Sequence, residues 1–326
     1  MANYDSFSDI IDQALDAIGE KTDGTSDYNS AALVFLNRVY RQVWMGGMEV
    51  SPELHEDWWW LRKYPPGSLV LEIAIETGTV AVTQDSTTVT FSSAPTKSVA
   101  NWHLKIKGEP DLHRVSTHTA NVATATLKDA WTGATNAAAS YTLMKLEYDL
   151  GPTDVLRVIS PLRVFRNQFG ERHDGEIEGI DAESMDLRFP LKYVESGIPT
   201  YFAVIYETDN KMTVRFNRYV KDRTRVEFDY LFIPDAATDT STEPVLPLQW
   251  RHVLSDGVAW RLAIMKNDTI ADVQGLLFKG GVQAMASENK RKMTTTERSF
   301  GWIYPNARDR TGEFRVKTTS GLVLIP

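Results

Sequence analysis

The sequence predicts an α+β fold in which helices from both ends of the chain build one helical bundle, interrupted by a β-rich region and followed by an extended C-terminal arm. Three observations carry that expectation. Apolar residues recur at helical spacing before residue 66 and again over 245–293, whereas the stretch between alternates with period two and is rich in β-branched residues. Hydrophobic residues make up 42% of the chain and charged residues 24%, the balance of a folded protein with a substantial core. Neither helical stretch can bury its own apolar stripe alone, so the two are expected to pack on one another.

In the N-terminal helical segment, residues 1–66, Ser6 and Asp9 form a capping-box pattern ahead of Ile10, Ile11, Ala14, Leu15 and Ile18, and Gly19 stops the run. Asp27 is the expected cap of a second helix with Leu33, Leu36, Tyr40 and Val43 on one face, closed by Gly46 and Gly47. Ser51, Pro52 and Glu53 suit the start of a third, short helix bearing Trp58, Trp59 and Trp60.

Residues 67–147 read as an immunoglobulin-like β-sandwich insertion, because Val80 and Val82, Val89 and Phe91, and Trp102, Leu104 and Ile106 alternate with polar residues between turn clusters. A second β region over 148–244 holds YFAVIY, KMTVRF and RVEFDYLFIP, with a hairpin turn at the DNK before Met212. Helical period returns over 245–293, where Leu254, Val258, Leu262 and Met265 share a stripe. Asn267 and Asp268 then separate a last helix in which Ile270, Val273, Leu277 and Ala284 line up. Gly280 and Gly281 inside it cost roughly 1 kcal/mol each relative to alanine, which asks for a packing, kinking or subunit-contact reason. Residues 294–326 are the expected arm: Phe314 and Val316 alternate with charges, and Leu322, Val323, Leu324 and Ile325 form an apolar tip that needs a groove.

Composition narrows the chemistry. With no cysteine there is no disulfide, no thiol nucleophile and no Cys-based zinc site. A net charge of −8 argues against a large, purely electrostatic nucleic-acid surface. The charge is polarised, however: Asp5, Asp9, Asp12, Asp16 and Glu20 mark the start, while Lys290, Arg291, Lys292 and Arg298 begin a basic end. Such polarity suits head-to-tail association or a complementary partner. The acidic start and the lack of any run of eighteen apolar residues predict a chain that folds unprocessed in a cytoplasm, without a membrane anchor.

No catalytic residue, cofactor or metal site is assigned, and the chain is expected not to be an enzyme. His55, Glu56 and Asp57 lack the second histidine that a zinc-protease helix requires, and His103, His113 and His118 are irregularly spaced on strands. Glu176, Glu178, Asp181, Glu183 and Asp186 read as a solvated loop rather than a glycosidase pair. No Gly-rich phosphate loop or nucleophile elbow occurs.

Two stretches resemble the head-to-tail adaptor (head completion connector) proteins of tailed phages of the podovirus type. In ATLKDAWTGATNAAASYTLMKLEYDLGPTDVLRV the resemblance rests on Leu127, Trp131, Gly133, Thr135, Tyr141, Tyr148, Leu150, Pro152 and Asp154. The second runs from GIPTYFAVIY through KMTVRF and RVEFDYLFIPD to PVLPLQWRHVLSDGVAWRLA, and YNSAALVFLNRVYRQVW adds an N-terminal match. Asn217 and Arg218 depart from the prolines often found after this strand in that family. The resemblance implies a ring, commonly of twelve copies, between the capsid portal and the tail or nozzle in the virion neck, with genomic DNA passing through it. On that reading Phe314, Val316, Leu322, Val323, Leu324, Ile325, Trp302 and Tyr304 are candidate portal or subunit contacts, and Lys290, Arg291, Lys292 and Arg298 a candidate basic contact. The alternatives are a β-rich phage attachment or surface-binding protein and, behind it, a polysaccharide hydrolase.

Overall fold

Strands outnumber helices along the chain. A computed structural model describes residues 4–22, 27–46, 57–166, 172–206, 212–237, 242–299, 314–318 and 321–325. In chain order its elements are α1 (Phe7–Ala17), α2 (Asn29–Trp44), β1 (Gly67–Leu71), β2 (Val80–Val82), β3 (Thr88–Phe91), β4 (His103–Ile106), β5 (Leu112–His118), β6 (Thr124–Leu127), β7 (Asn136–Ala139), β8 (Tyr141–Met144), β9 (Glu147–Asp149), β10 (Val155–Arg166), β11 (Arg172–Gly179), α3 (Ala182–Arg188), β12 (Glu195–Ser196), β13 (Tyr201–Tyr206), β14 (Met212–Phe216), β15 (Arg218–Tyr219), β16 (Thr224–Phe232), α4 (Arg251–Lys266), α5 (Ala271–Ser299), β17 (Phe314–Thr318) and β18 (Gly321–Ile325). They divide into two compact units: Met1–Arg62 with Ile233–Pro326, and Lys63–Phe232.

The Lys63–Phe232 unit is built on two seven-stranded sheets. One has the order β7-β2-β3-β6-β5-β4-β8 and is antiparallel at every pairing. Its edge strands β7 and β8 are consecutive in sequence with Ser140 alone between them, so the sheet must curl until its ends nearly meet. Inward residues of all its strands then share one core, among them Val82, Phe91, Leu104, Val115, Leu127 and Leu143. The other sheet, ordered β1-β16-β10-β11-β13-β14-β9, curves around a second core that includes Leu162, Val164, Phe202, Val214, Val226 and Phe228.

This corrects the fold class expected from the sequence. The protein is mainly β, a near-barrel and a half-barrel with five helices among the described residues. It is not a helical bundle interrupted by a small immunoglobulin-like sandwich. The reason is physical: period two marks which face of a strand is buried, and the same alternation serves one curled sheet or two facing sheets. Pairing order decides between them. The expected extended arm is also different, since β17 pairs antiparallel with β18 as a separate hairpin, Phe314 opposite Ile325 and Val316 opposite Val323.

In the other unit α4 is the central helix, burying Val253, Leu254, Val258, Ala259 and Leu262. The buried Arg251 at its start donates to the Tyr4 carbonyl at 3.2 Å and the Asp5 carbonyl at 2.7 Å. At its end Lys266 Nζ donates to the Ile18 carbonyl at 3.2 Å and to Glu20 at 2.8 Å. Contacts at matching ends mean that α1 runs parallel to α4. The left-handed Asn267, φ 56°, turns the chain so that α5 returns antiparallel along α4. The two helices approach closely because both are notched: a Cβ on Gly257 would lie 2.9 Å from Phe278 of α5, and one on Gly281 would lie 2.8 Å from Val253 of α4.

Local signals explain most helix boundaries. At α1 the Ser6 hydroxyl accepts from the Asp9 amide at 3.2 Å while Asp9 accepts from the Ser6 amide at 2.9 Å. For α2 the expected Asp27 cap is not used; Tyr28 occupies the cap position without a side-chain hydrogen bond. The expected helix beginning at Ser51 and the DNK turn fall outside the described residues. Trp59–Leu61 form a single 3₁₀ turn.

Candidate functional site

Each polar cluster was a possible centre of chemistry, and most resolve into structural work. Asp181 caps α3, accepting from the Ser184 amide at 2.7 Å, and this hydrogen bonding holds its carboxyl below the usual range. Asp186 pairs with Arg215 at 2.6 Å, and Glu176 and Glu178 are exposed on β11. His118 Nε2 bonds the Val122 carbonyl at 2.9 Å. His55 and Glu56 lie outside the described residues, while the backbone carbonyl of Asp57 accepts from Asn289. Among the described residues no group of three or more histidine or carboxylate side chains could hold a metal ion.

In two histidines of the near-barrel, burial disfavours the charged form. His103 on β4 is 4% exposed, its Nδ1 has no hydrogen-bond partner, and burial, with Arg114 and Arg215 nearby, lowers its pKa to about 4. Both arginines are themselves paired, Arg114 with Glu147 at 3.3 Å and Arg215 with Asp186. His113 on β5 packs 4.7 Å from the Trp131 ring and borders an open cleft of about 470 Å³ with Asp111, Asp129, Leu191 and Lys192. Burial lowers its pKa, with Asp111 and Asp129 pulling the other way.

The tryptophan run divides by direction. Trp58 is buried and donates Nε1–H to the Val43 carbonyl at 2.7 Å; Trp60 stacks on it with ring centroids 6.1 Å apart. Trp59 is 40% exposed, its amide bonds Asn289 of α5 at 3.0 Å, and Lys292 sits 4.4 Å from its ring centroid. Lys292 also pairs with Glu288 at 2.6 Å, so this member of the candidate basic contact is engaged within the chain. Lys290 and Arg291 are exposed on α5, where Arg298 also lies. Phe314, Val316, Leu322, Val323, Leu324 and Ile325 lie on the two strands of the terminal hairpin, and Trp302 and Tyr304 lie outside the described residues.

Among the described residues, α5 exposes Val273 and Leu277, two members of the apolar stripe expected from the sequence, together with Leu276. Gln274, Phe278, Val282, Met285 and Asn289 of α5 point inward, whereas Val273, Leu276 and Leu277 are 54%, 72% and 51% exposed. Gly280 continues that outer face, and a Cβ there would meet nothing within 4 Å. Gly281 thus has a packing reason inside the unit and Gly280 has none. The outer face of α1 is the opposite in kind: Asp16 is exposed on it with Asp9 and Asp12 half-buried beside it, and the exposed Asp5 lies just ahead of the Ser6 cap. Burial and the neighbouring Asp9 charge raise the Asp12 pKa.

No protein-family model matches the chain, and none of the curated proteins is similar to it in sequence. No described helix is long and apolar enough to cross a membrane.

Proposed function

We propose that the chain is a structural virion connector: a ring-forming adaptor below the portal that joins the capsid to the tail or nozzle and lines the path of ejected DNA. The exposed Val273–Leu277 face of α5 carries the reading, because an apolar helix face beside an oppositely charged flank is a contact surface, and contact is this protein's output. Which assembly it serves comes from the resemblance of residues 125–158 and 197–263 to phage adaptors. In that role the ring, commonly of twelve copies, matches the portal to the tail, seals the channel after packaging and lets DNA pass. A net charge of −8 favours a channel along which DNA slides without sticking.

The terminal hairpin, with its apolar sequence, is the segment proposed to meet the portal. Deleting residues 312–326 should leave the far-ultraviolet circular dichroism and thermal midpoint of the chain essentially unchanged while reducing its co-sedimentation with purified portal rings. Undiminished co-sedimentation would remove the hairpin from the portal contact.

A further inference from the structure

The open cleft beside β5 gathers polar groups that nothing in the chain satisfies. Asp111 stands just ahead of β5, whose Val115 pairs with Leu127 of β6. The Lys128 amide donates to the Arg114 carbonyl at 2.7 Å, so the antiparallel ladder runs on past β6 and brings Asp129 level with His113. The two exposed carboxylates thus form a rim, and the buried His113 forms the floor between them. Among the described residues neither carboxylate has a hydrogen bond or an ion pair. His113 is 8% exposed, its Nε2 has no hydrogen-bond partner, and both carboxylates act on it electrostatically. The surroundings are held in place. Trp131 backs the imidazole and donates Nε1–H to the Ala134 carbonyl at 3.1 Å. Across the cleft, Lys105 Nζ donates to the Lys192 carbonyl at 2.9 Å, and Leu191 packs on the same small apolar cluster as Leu112.

We propose that this cleft is a binding site for a guanidinium group, held at its edges by Asp111 and Asp129 and seated over His113. All three groups call for a donor: the carboxylates only accept, and burial disfavours the imidazolium, which leaves a ring with one accepting nitrogen. A guanidinium carries five N–H donors and no acceptor. Its flat fork serves two carboxylates at once, and its weak hydration suits a wall made by Pro190 and Leu191. Lys192 is the one cation lining the cleft, and its ammonium lies 5.0 Å from the Tyr193 ring centroid. Two carboxylates against that one lysine leave a single negative charge for the ligand to neutralise. A metal ion does not meet this description, because among the described residues no three such side chains converge on one. A volume of about 470 Å³ suits a small ligand or one long side chain. The site belongs to the Lys63–Phe232 unit alone and does not depend on the connector reading.

Titrating the full chain with Nα-acetylarginine amide at neutral pH, read by the His113 ring signals in NMR, tests it. Exposed carboxylates predict a Kd of about 1 mM. Asp111→Asn with Asp129→Asn should weaken binding about tenfold at an unchanged thermal midpoint. Lys192→Ala removes a like charge and should tighten binding about threefold, which a loosened fold cannot do. Nα-acetylcitrulline amide, uncharged and of nearly the same shape, should leave the signals in place. A tripeptide with one arginine between glycines separates the sources: tighter binding than the single amide supports a seat for a partner's arginine, and equal binding supports a site for a free guanidinium compound. No shift of the His113 signals at roughly ten times the expected Kd overturns the proposal. So does equal binding of the citrulline or the lysine amide, or undiminished binding by the double variant. Where that variant does not fold, unchanged or weaker binding by Lys192→Ala overturns it.

Discussion

His103 shows how a single residue sets a pH limit. Held neutral at 4% exposure between two arginines, it titrates at about 4, below the ordinary 6.5. A histidine with a depressed folded-state pKa stabilises the fold fully above 6.5, and that stability drains away as pH falls from 6.5 towards 4. The loss attributable to it between pH 7 and pH 5 is about 2 kcal/mol. Urea denaturation of the native chain and of His103→Asn at both pH values should show the native chain losing that much more than the variant. Equal losses would mean that the imidazole is protonated in the folded state. The neutral histidine was visible in the sequence only as a lone His on a strand; its burial depends on β4 pairing with β5 and β8, a long-range fact.

At the scale of elements, α5 carries two adjacent glycines with opposite environments. Gly281→Val drives a branched side chain into Val253 and should destabilise the chain by about 1–3 kcal/mol. Gly280→Ala enters open space and should stabilise the isolated chain by about 0.5–1 kcal/mol through helix propensity alone. Thermal melts of the two variants distinguish these outcomes, and a destabilising Gly280→Ala would place an unseen neighbour over that turn within the chain. The helices themselves were legible where the signal is local, as in the Ser6–Asp9 box and the Asn267 turn. Which side of α5 is buried was not, because apolar residues lie on both sides and the notch at Gly281 selects one. For the same reason closure of the near-barrel was illegible: Ala139, Ser140 and Tyr141 carry no strong turn signal, and only the pairing of β7 with β2 and β8 with β4 shows that they join opposite edges.

At the scale of the whole molecule, exposed large apolar side chains occur on both units: Val273, Leu276 and Leu277 on the helical one, and Tyr64, Leu187 and Tyr193 on the β one. An assembly held by exposed ion pairs weakens as salt rises, since those pairs are screened while apolar cover is not. The most direct test of the connector account is cryo-electron microscopy of the full chain mixed with purified portal rings. The account predicts an added ring of density below the portal. Portal rings without added density, with the chain left monomeric in the same sample, would contradict it.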